Sequence, residues 1–317
     1  MAVDQPRCSV VIRAYNEEKH IGRLLTGIME QTVRDVQVIL VDSGSRDRTV
    51  AIASQFPVEV VHIRPQDFTF GYSLNQGIAQ ARADVVVMAS AHVFPVYPDW
   101  LERLLEPFSD PLTAVVYGKQ RGAVTSKYSE HQIFKTWFPE LSIQRQTTPF
   151  SNNANAAVRR PLWEQHAYDE RLPGLEDLGW AKWALEQGFS VAYAAEAEVI
   201  HVHNETWPGI FNRYRREGMA FKQIYPHETF GLNDLARLFS SNVWNDWRAA
   251  MREGQFLREW LNVIRFRWMQ FYGTYLGYRQ AGPLTWQLKQ TFYYPRSIEN
   301  GSVDTEKRGV APIKYES

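Results

Sequence analysis

Carboxylates standing just past short apolar runs are the first sign of chemistry in this chain. Asp42 closes the run Val-Ile-Leu-Val and is followed by Ser43-Gly-Ser45, while Glu17 stands three residues beyond the run that ends at Ala14. A carboxylate at the end of a buried strand can accept a hydrogen bond from a base N–H, as N3 of uracil or thymine offers. One in the neighbouring loop can reach ribose hydroxyls. The plainer readings are a helix cap for Asp42 and a charge favouring a helix dipole for Glu17. Ser45 and Asp47 are better placed to cap, which favours the nucleotide reading for Asp42.

Further along, Glu176-Asp177 follows Pro173-Gly174 and opens a helical pattern. Such a pair either favours a helix amino end or supplies a general base for an attacking hydroxyl. Adjacent carboxylates resist joint ionisation, so a raised pKa is expected. His92 lies just past the apolar run 85–89, where a loop cap is the plain reading and a ligand role the sharper one. His201 and His203, two apart on an extended segment, project to the same face, and His203 is nearer the following loop. Imidazole suits Mn²⁺ and other transition metals better than Mg²⁺. At helical spacing Arg213 and Arg216 share a face while Arg215 does not, and a guanidinium can grip phosphate oxygens in a fork; a solvated face would look the same. Asn152 and Asn153 sit in a run of small residues and could bond sugar hydroxyls or simply form a turn.

These groups need a scaffold. Strand-like runs at 9–14, 36–41, 58–63, 85–89 and 113–117 alternate with helical patterns at 17–31, 47–55, 72–83 and 98–107. The alternation predicts an α/β fold with a mainly parallel sheet and helices on both faces. Residues 118–149 lose periodicity and suit a long insertion beside a site. Helical patterns return at 161–166 and 176–187, the latter stopped by Gly188, and short strands are expected at 189–194 and 198–202. From 207 to 294 the chain is helical and aromatic, and its polar last twenty residues suit a frayed tail. Three units are therefore expected: 1–225, a helical extension at 226–295, and a flexible tail at 296–317.

Composition narrows the classes. At 317 residues the chain has room for roughly two domains, and 44% hydrophobic content excludes disorder. Lys plus Arg equals Asp plus Glu at 35 each, so no overall field favours nucleic acid. One cysteine, Cys8, excludes a disulfide framework and is expected to be buried in the first strand. The first residues lack the apolar core of a signal peptide, and no run approaches the ~18 apolar residues of a spanning helix. A cytoplasmic protein is expected, soluble or peripheral at the inner face of the membrane.

Four segments in order resemble the family 2 glycosyltransferases: Ala14-Tyr-Asn-Glu-Glu18, Val41-Asp-Ser-Gly-Ser-Arg-Asp-Arg-Thr49, Gly71-Tyr-Ser-Leu-Asn75-Gln-Gly77 with Ala81, and Gly174-Leu-Glu-Asp177-Leu-Gly-Trp180. The likeness covers roughly residues 8–220 and implies the GT-A (Rossmann-like) fold, followed here by a C-terminal helical extension. It implies transfer of a sugar from a nucleotide diphosphate donor with inversion at the anomeric carbon. By the motifs, Ala14, Tyr15, Glu17, Asp42, Ser43, Gly71 and Asn75 would hold the nucleotide. Asp177 would be the base with Glu176 positioning it or the acceptor, and Asn152, Asn153 and Trp180 would face acceptor and sugar. Arg213 and Arg216 would meet the diphosphate. Where the family usually carries Asp-x-Asp for Mg²⁺ or Mn²⁺, this chain has Ser90-Ala91-His92. Either a metal is held by His92 with His203, or cationic side chains take its place.

The resemblance implies a UDP- or dTDP-sugar donor, a hexosyl or deoxyhexosyl group, and a glycan or lipid-linked acceptor in bacterial polysaccharide assembly. The competing class is a non-catalytic nucleotide-sugar or glycan-binding protein, suggested by the altered acidic motif and opposed by Glu176-Asp177. Nucleotidyl transfer would need a Gly-rich basic loop after the first strand, which is missing. Over 235–289, arginines such as Arg248, Arg252 and Arg258 interleave with Trp244, Trp247, Trp260 and Trp268. Basic, Trp-rich amphipathic helices can lie in a membrane interface. Packing or a homodimer is the preferred expectation, because the aromatics recur too densely for one exposed face.

Overall fold

The computed structural model describes residues 5–280 and 310–315. Its first half is the expected alternation. Strands β1 (Cys8–Ala14), β2 (Val36–Asp42), β3 (Val58–His62) and β4 (Val85–Ser90) pair in parallel in the order β3-β2-β1-β4. Their β-branched residues are shielded on both faces, as a parallel sheet requires. Val11, Ile39 and Met88 pack under helix α3 (Phe70–Ile78), while Val10, Ile12 and Leu40 pack under α1 (Ile21–Met29) and α2 (Thr49–Ala53). Cys8 is buried, and burial pushes its thiol up to about 12, so it is an inert packing residue. Helices α1 and α2 start later than expected. Residues 17–20 and 47–48 stay in loops because their polar groups bond across to one another instead.

The second half departs further. After the short β5 (Val93–Pro95) and α4 (Trp100–Leu105) come β6 (Thr113–Gly122), α5 (Tyr128–Trp137), β7 (Ile143–Gln146), β8 (Asn155–Arg159), α6 (Arg160–Gln165), α7 (Glu176–Glu186) and β9 (Ser190–His201). The sheet continues β4-β8-β6-β9-β5, with β7 also on β9; β8 runs antiparallel to both its neighbours, so the whole is mixed rather than mainly parallel. Strand β8 has small residues and a polar start, which is why it reads as a loop. Asn155 is nonetheless fully buried and satisfied: its amide donates to Lys119 O and Ala197 O and accepts from the Trp100 indole. The aperiodic 118–149 stretch holds the end of β6, α5 and β7, and the two strands expected at 189–202 are one.

Helices α8 (Trp207–Ile224), α9 (Leu232–Arg252) and α10 (Phe256–Arg279) follow. Helix α10 lies on α8 through Gly273 and Gly277; a Cβ at 273 would come within 2.7 Å of Phe211 O. An arginine fork joins the hairpin internally, Arg267 donating to both oxygens of Asp246 at 2.8 Å with both groups buried. Phe266, Phe271 and Tyr275 turn inward, whereas Trp244, Met251, Leu257, Leu261 and Trp268 remain exposed. No described helix is long and apolar enough to cross a membrane. The helix expected to reach 294 is described to Arg279, and 281–294 lie outside the described residues. Residues 310–315, expected to fray, lie along β5. Ile313 N–H donates to Val96 O at 3.0 Å, and the Tyr315 hydroxyl donates to Pro95 O at 2.6 Å with its ring edge-on to Phe94.

Candidate active site

The ends of three neighbouring strands define the site. Ala14 pairs with Asp42 across β1–β2, and Arg13 with Ser90 across β1–β4. The two loops that follow β1 and β2 are laced together. Asn16, in the left-handed region at φ 55°, donates its N–H to Ser45 Oγ and accepts from Arg46 N–H. Glu18 N–H donates to Asp47 while Arg48 N–H donates to Glu18, and Glu17 N–H donates to Thr49 Oγ1. Ser43 is fully turned to this lacing, its N–H and hydroxyl both donating to Ala14 O at 3.0 Å. Asp42 is 2% exposed and accepts from Gly44 and Ser45 N–H, with His62 Nδ1 at 3.3 Å from Oδ2. Ala14, Ser43 and Asp42 therefore shape the rim of this edge, with half-buried Tyr15 beside them.

Two residues expected at the nucleotide are braces instead. Asn75 donates to Tyr168 O and Glu170 and accepts from the Trp163 indole and Tyr168 N–H, so all four of its hydrogen-bonding positions are taken. Gly71 lies against the backbone of Asp169, where a Cβ would come within 2.7 Å of the carbonyl oxygen. Both pin α3 to the 163–170 segment. Trp180, expected at the sugar, is 2% exposed in the core and donates its indole N–H to His166 O.

The acidic pair begins α7 behind Leu175, which holds φ 56°. A non-glycine residue in that region stores strain of a kind found at functional sites. Asp177 accepts from Asn153 N–H at 3.1 Å and from Leu178 N–H at 2.8 Å. Glu176 is buried and accepts from Arg13 and from the Asn153 side chain, each at 3.3 Å, and Asn153 in turn receives the Tyr168 hydroxyl. Asn153 thus holds the pair rather than a sugar, while half-buried Asn152 caps its own turn through Ala154 N–H. Burial, followed by the Glu176 charge, raises the Asp177 pKa to about 7. Arg216 lies beside Gly174 and over the Phe70 ring, which Arg13 also approaches, at 4.7 and 4.6 Å respectively.

On the other side, three imidazoles meet: His92 from the turn between β4 and β5, and His201 and His203 from the end of β9 and just beyond it. One ring nitrogen each of His92, His201 and His203 lies within 4.8 Å of the others. Each has an oxygen partner behind it: His92 Nδ1 on Glu17 at 2.7 Å, His201 Nδ1 on Gln120 Oε1 at 2.8 Å, His203 Nδ1 on Glu130 at 2.7 Å. Glu17, expected at the ribose, therefore orients His92. Glu130 also receives Arg213, whose Nε donates to Glu205. Burial opposes ionisation of Glu130, and the His203 and Arg213 charges override it, holding its carboxyl well below the usual range. Arg213 is committed to these carboxylates rather than open to a diphosphate. Helix α8 bears Arg213 at the histidines and Arg216 at the acidic pair, about 5 Å of helix rise apart. Arg215 points away, bonding Gln280.

The rings' geometry carries chemistry. With the Nδ1–H of His203 on the Glu130 carboxylate, its Nε2 lone pair faces His201 Nε2 at 2.9 Å. A proton on His201 Nε2 or a bound cation completes that contact, and burial, then the charges of His203, His92 and Arg213, push the His201 pKa well below normal. Imidazoles backed by carboxylate or amide oxygens are the usual form of a metal-binding histidine. The donor set thus fits a divalent transition metal. Proximity to the loop favours His203 over His201, whereas the cluster takes in both; no pattern in the chain marks Glu130, Glu205 or Arg13.

The glycosyl transferase family 2 model matches residues 9–166. The O-antigen chain rhamnosyltransferase RfbN of Salmonella typhimurium is 32% identical over 67% of this chain and 72% of its own length. This chain belongs to glycosyltransferase family 2. WbaN, an O-antigen chain rhamnosyltransferase of Salmonella anatum, is 29% identical over 68% of this chain and 72% of its own. Among solved structures, the mannosyltransferase PcManGT of Pyrobaculum calidifontis, in complex with GDP-Man and Mn²⁺, superposes with a TM-score of 0.61 at 17% identity, covering 87% of this chain and 88% of that one. Its likeness shows that the family 2 chain has the GT-A fold, a mixed sheet flanked by helices with C-terminal helices added.

Proposed function

We propose that this glycosyltransferase moves a deoxyhexose, rhamnose in the first instance, from a dTDP- or UDP-sugar to a hydroxyl of a glycan with inversion. The observation that carries the reading is Asp177: a carboxylate braced by Asn153 and Leu178 N–H groups, crowded by Glu176, and brought to a pKa of about 7. A base with that pKa is half ionised at neutral pH, where proton abstraction is most effective. It would take the acceptor hydroxyl proton as that oxygen attacks the anomeric carbon, and the bond to the diphosphate breaks with its electrons leaving on phosphate. The sugar identity rests on the two rhamnosyltransferase relatives.

His92, His201 and His203 would hold a divalent metal, Mn²⁺ or Zn²⁺ rather than Mg²⁺, because nitrogen donors favour the softer ions. Such an ion would supply positive charge for the departing diphosphate. Arg216, reaching from α8 to Gly174 beside the acidic pair, would add charge of its own. Tyr15 and Asp42, at the rim of the laced loops, are the proposed nucleoside contacts. The exposed stripes Trp244, Arg248, Met251 on α9 and Leu257, Leu261, Trp268 on α10 would rest on an anionic membrane surface, a reading that liposome flotation tests directly.

The test of the reaction is nucleoside diphosphate release from a panel of dTDP- and UDP-sugars. Release in the wild type, lost in Asp177→Asn with the fold intact by circular dichroism, is the expected result. Release unchanged in the variant would remove Asp177 as the base, and no release from any sugar would favour a non-catalytic binding protein.

A further inference from the structure

A second concavity lies beside the site, and none of the groups assigned above lines it. Its volume is about 500 Å³, and it opens to solvent between the end of α5, strand β7 and the segment leading into β8. Trp137, the last residue of α5, is 44% exposed and forms one wall. Phe150 forms the floor, meeting Trp137 edge-on at 5.4 Å and Tyr117 edge-on at 5.2 Å. The opposite wall is polar: Arg145, Thr147 and Thr148.

The cleft is built rather than accidental. Gln146 accepts the Tyr117 hydroxyl at 2.9 Å and donates to Thr148 O and Phe150 O, which fixes the course of 146–150. Arg145 is held from outside by Asp110, which receives its Nε and terminal N–H, so its guanidinium is fixed in place while remaining exposed. Apolar walls from Trp137 and Phe150 facing a few fixed polar groups are the composition of a ligand pocket.

Its position is specific. Two residues separate Phe150 on the cleft floor from Asn153, whose N–H is bonded to Asp177. Three chain steps span at most about 10 Å. The same α5 that ends in Trp137 carries Glu130 behind His203 and sets Phe134 5.7 Å from that ring. The cleft thus adjoins both halves of the site, on the side of the base and not of the laced nucleotide loops.

We propose that this cleft binds the body of the acceptor glycan, the sugar units next to the one that carries the attacking hydroxyl. A pyranose has an apolar C–H face, which suits the electron-rich face of Trp137, and a rim of hydroxyls, which suits Arg145, Thr147 and Thr148. The ligand class is a neutral or acidic oligosaccharide at least two units long. This rests on the glycosyl-transfer reading of the main site and adds to it a preference for acceptor length.

The experiment separates the two. Donor hydrolysis without acceptor reports on the main site alone and should be equal in wild type and Trp137→Ala; its absence in both would sink the transfer reading, not the cleft. Binding is read by ligand-observed NMR in the Asp177→Asn background, using methyl hexosides and deoxyhexosides and the di- to tetrasaccharides built from them. Expected is a preference for the oligosaccharide over its monoglycoside that Trp137→Ala reduces about tenfold, the loss of one aromatic face, and that Trp137→Phe largely keeps. Equal affinities for short and long saccharides in the parent protein, or a length preference untouched by Trp137→Ala, would overturn it. So would occupancy by the alkyl chain of dodecyl maltoside with none by the free saccharides, which would make the cleft a lipid groove.

Discussion

The laced loops after β1 and β2 and the histidine cluster above β9 solve the same problem, fixing polar groups at a sheet edge, in opposite ways. The loops are held by many bonds between two adjacent segments, each joining a side-chain acceptor to a backbone N–H of the neighbouring loop. The cluster is held by a few bonds among groups drawn from across the chain: His92, Gln120, Glu130, His201, His203 and Arg213. Redundant bonding spreads the load, so one lost partner is absorbed. A sparse buried network concentrates it, because each removed group strands another in low dielectric. The two regions should therefore respond differently to single substitutions.

The largest effect is expected outside both regions, at the acidic pair. Asp177→Asn should lower kcat by about 10²–10⁴, measured under saturating donor. In the wild type the rate should rise with pH through about 7, as Asp177 loses its proton, and flatten above. The stability sign is opposite. A carboxyl raised in the folded state is costless below its unfolded pKa and increasingly costly as pH rises through about 7. Asp177→Asn should accordingly raise Tm at pH 8 and leave it nearly unchanged at pH 4, and a rise of equal size at both pH values would contradict the linkage.

Next is the cluster's outer layer. Glu130→Gln keeps the shape but removes the charge shared by His203 and Arg213, and should weaken Mn²⁺ or Zn²⁺ binding about 10–100-fold. Calorimetric titration reads this without turnover; unchanged affinity would mean that Glu130 does not orient the histidine. Smaller in its functional reach is Asn75→Ala, which strands the Trp163 indole and Tyr168 N–H groups. A loss of about 3 kcal/mol in urea unfolding is expected, with nucleotide affinity retained; the reverse pattern would return Asn75 to the nucleotide. The smallest is Ser45→Ala in the lacing, expected within about 1 kcal/mol of wild type because its neighbours remain bonded. A loss as large as that at Asn75 would erase the contrast between the regions.

The same contrast explains what could be read from the chain. The parallel first half was legible because β-branched runs, helical periods and turn residues are local signals, and Asp42 and the α7 start at Glu176-Asp177 sit at their boundaries. Strand β8 was not, because Asn155 is polar and its burial is justified by bonds to residues 36 and 42 positions away. Glu130 hides in an amphipathically unremarkable helix, and its meaning appears only when His203, 73 residues later, folds onto it. Trp180 and Asn75 mislead for a related reason. A motif records which residues stand together, but not whether a given one faces the ligand or braces its neighbour. Glu17 is the intermediate case: expected at the ribose, it stands in the loop after β1 with its carboxylate on His92.

Strand β5 is the last in the sheet, and an uncovered last strand invites pairing with a second molecule. Residues 310–315 occupy that margin: Ile313 bonds Val96, and Tyr315 seats where Gly27 leaves room that a methyl would fill. With the stretch seated there, a second molecule meets a covered margin rather than a bare one. Shortening the chain to 309 should show first as growing light scattering on concentration, before any change in chemistry.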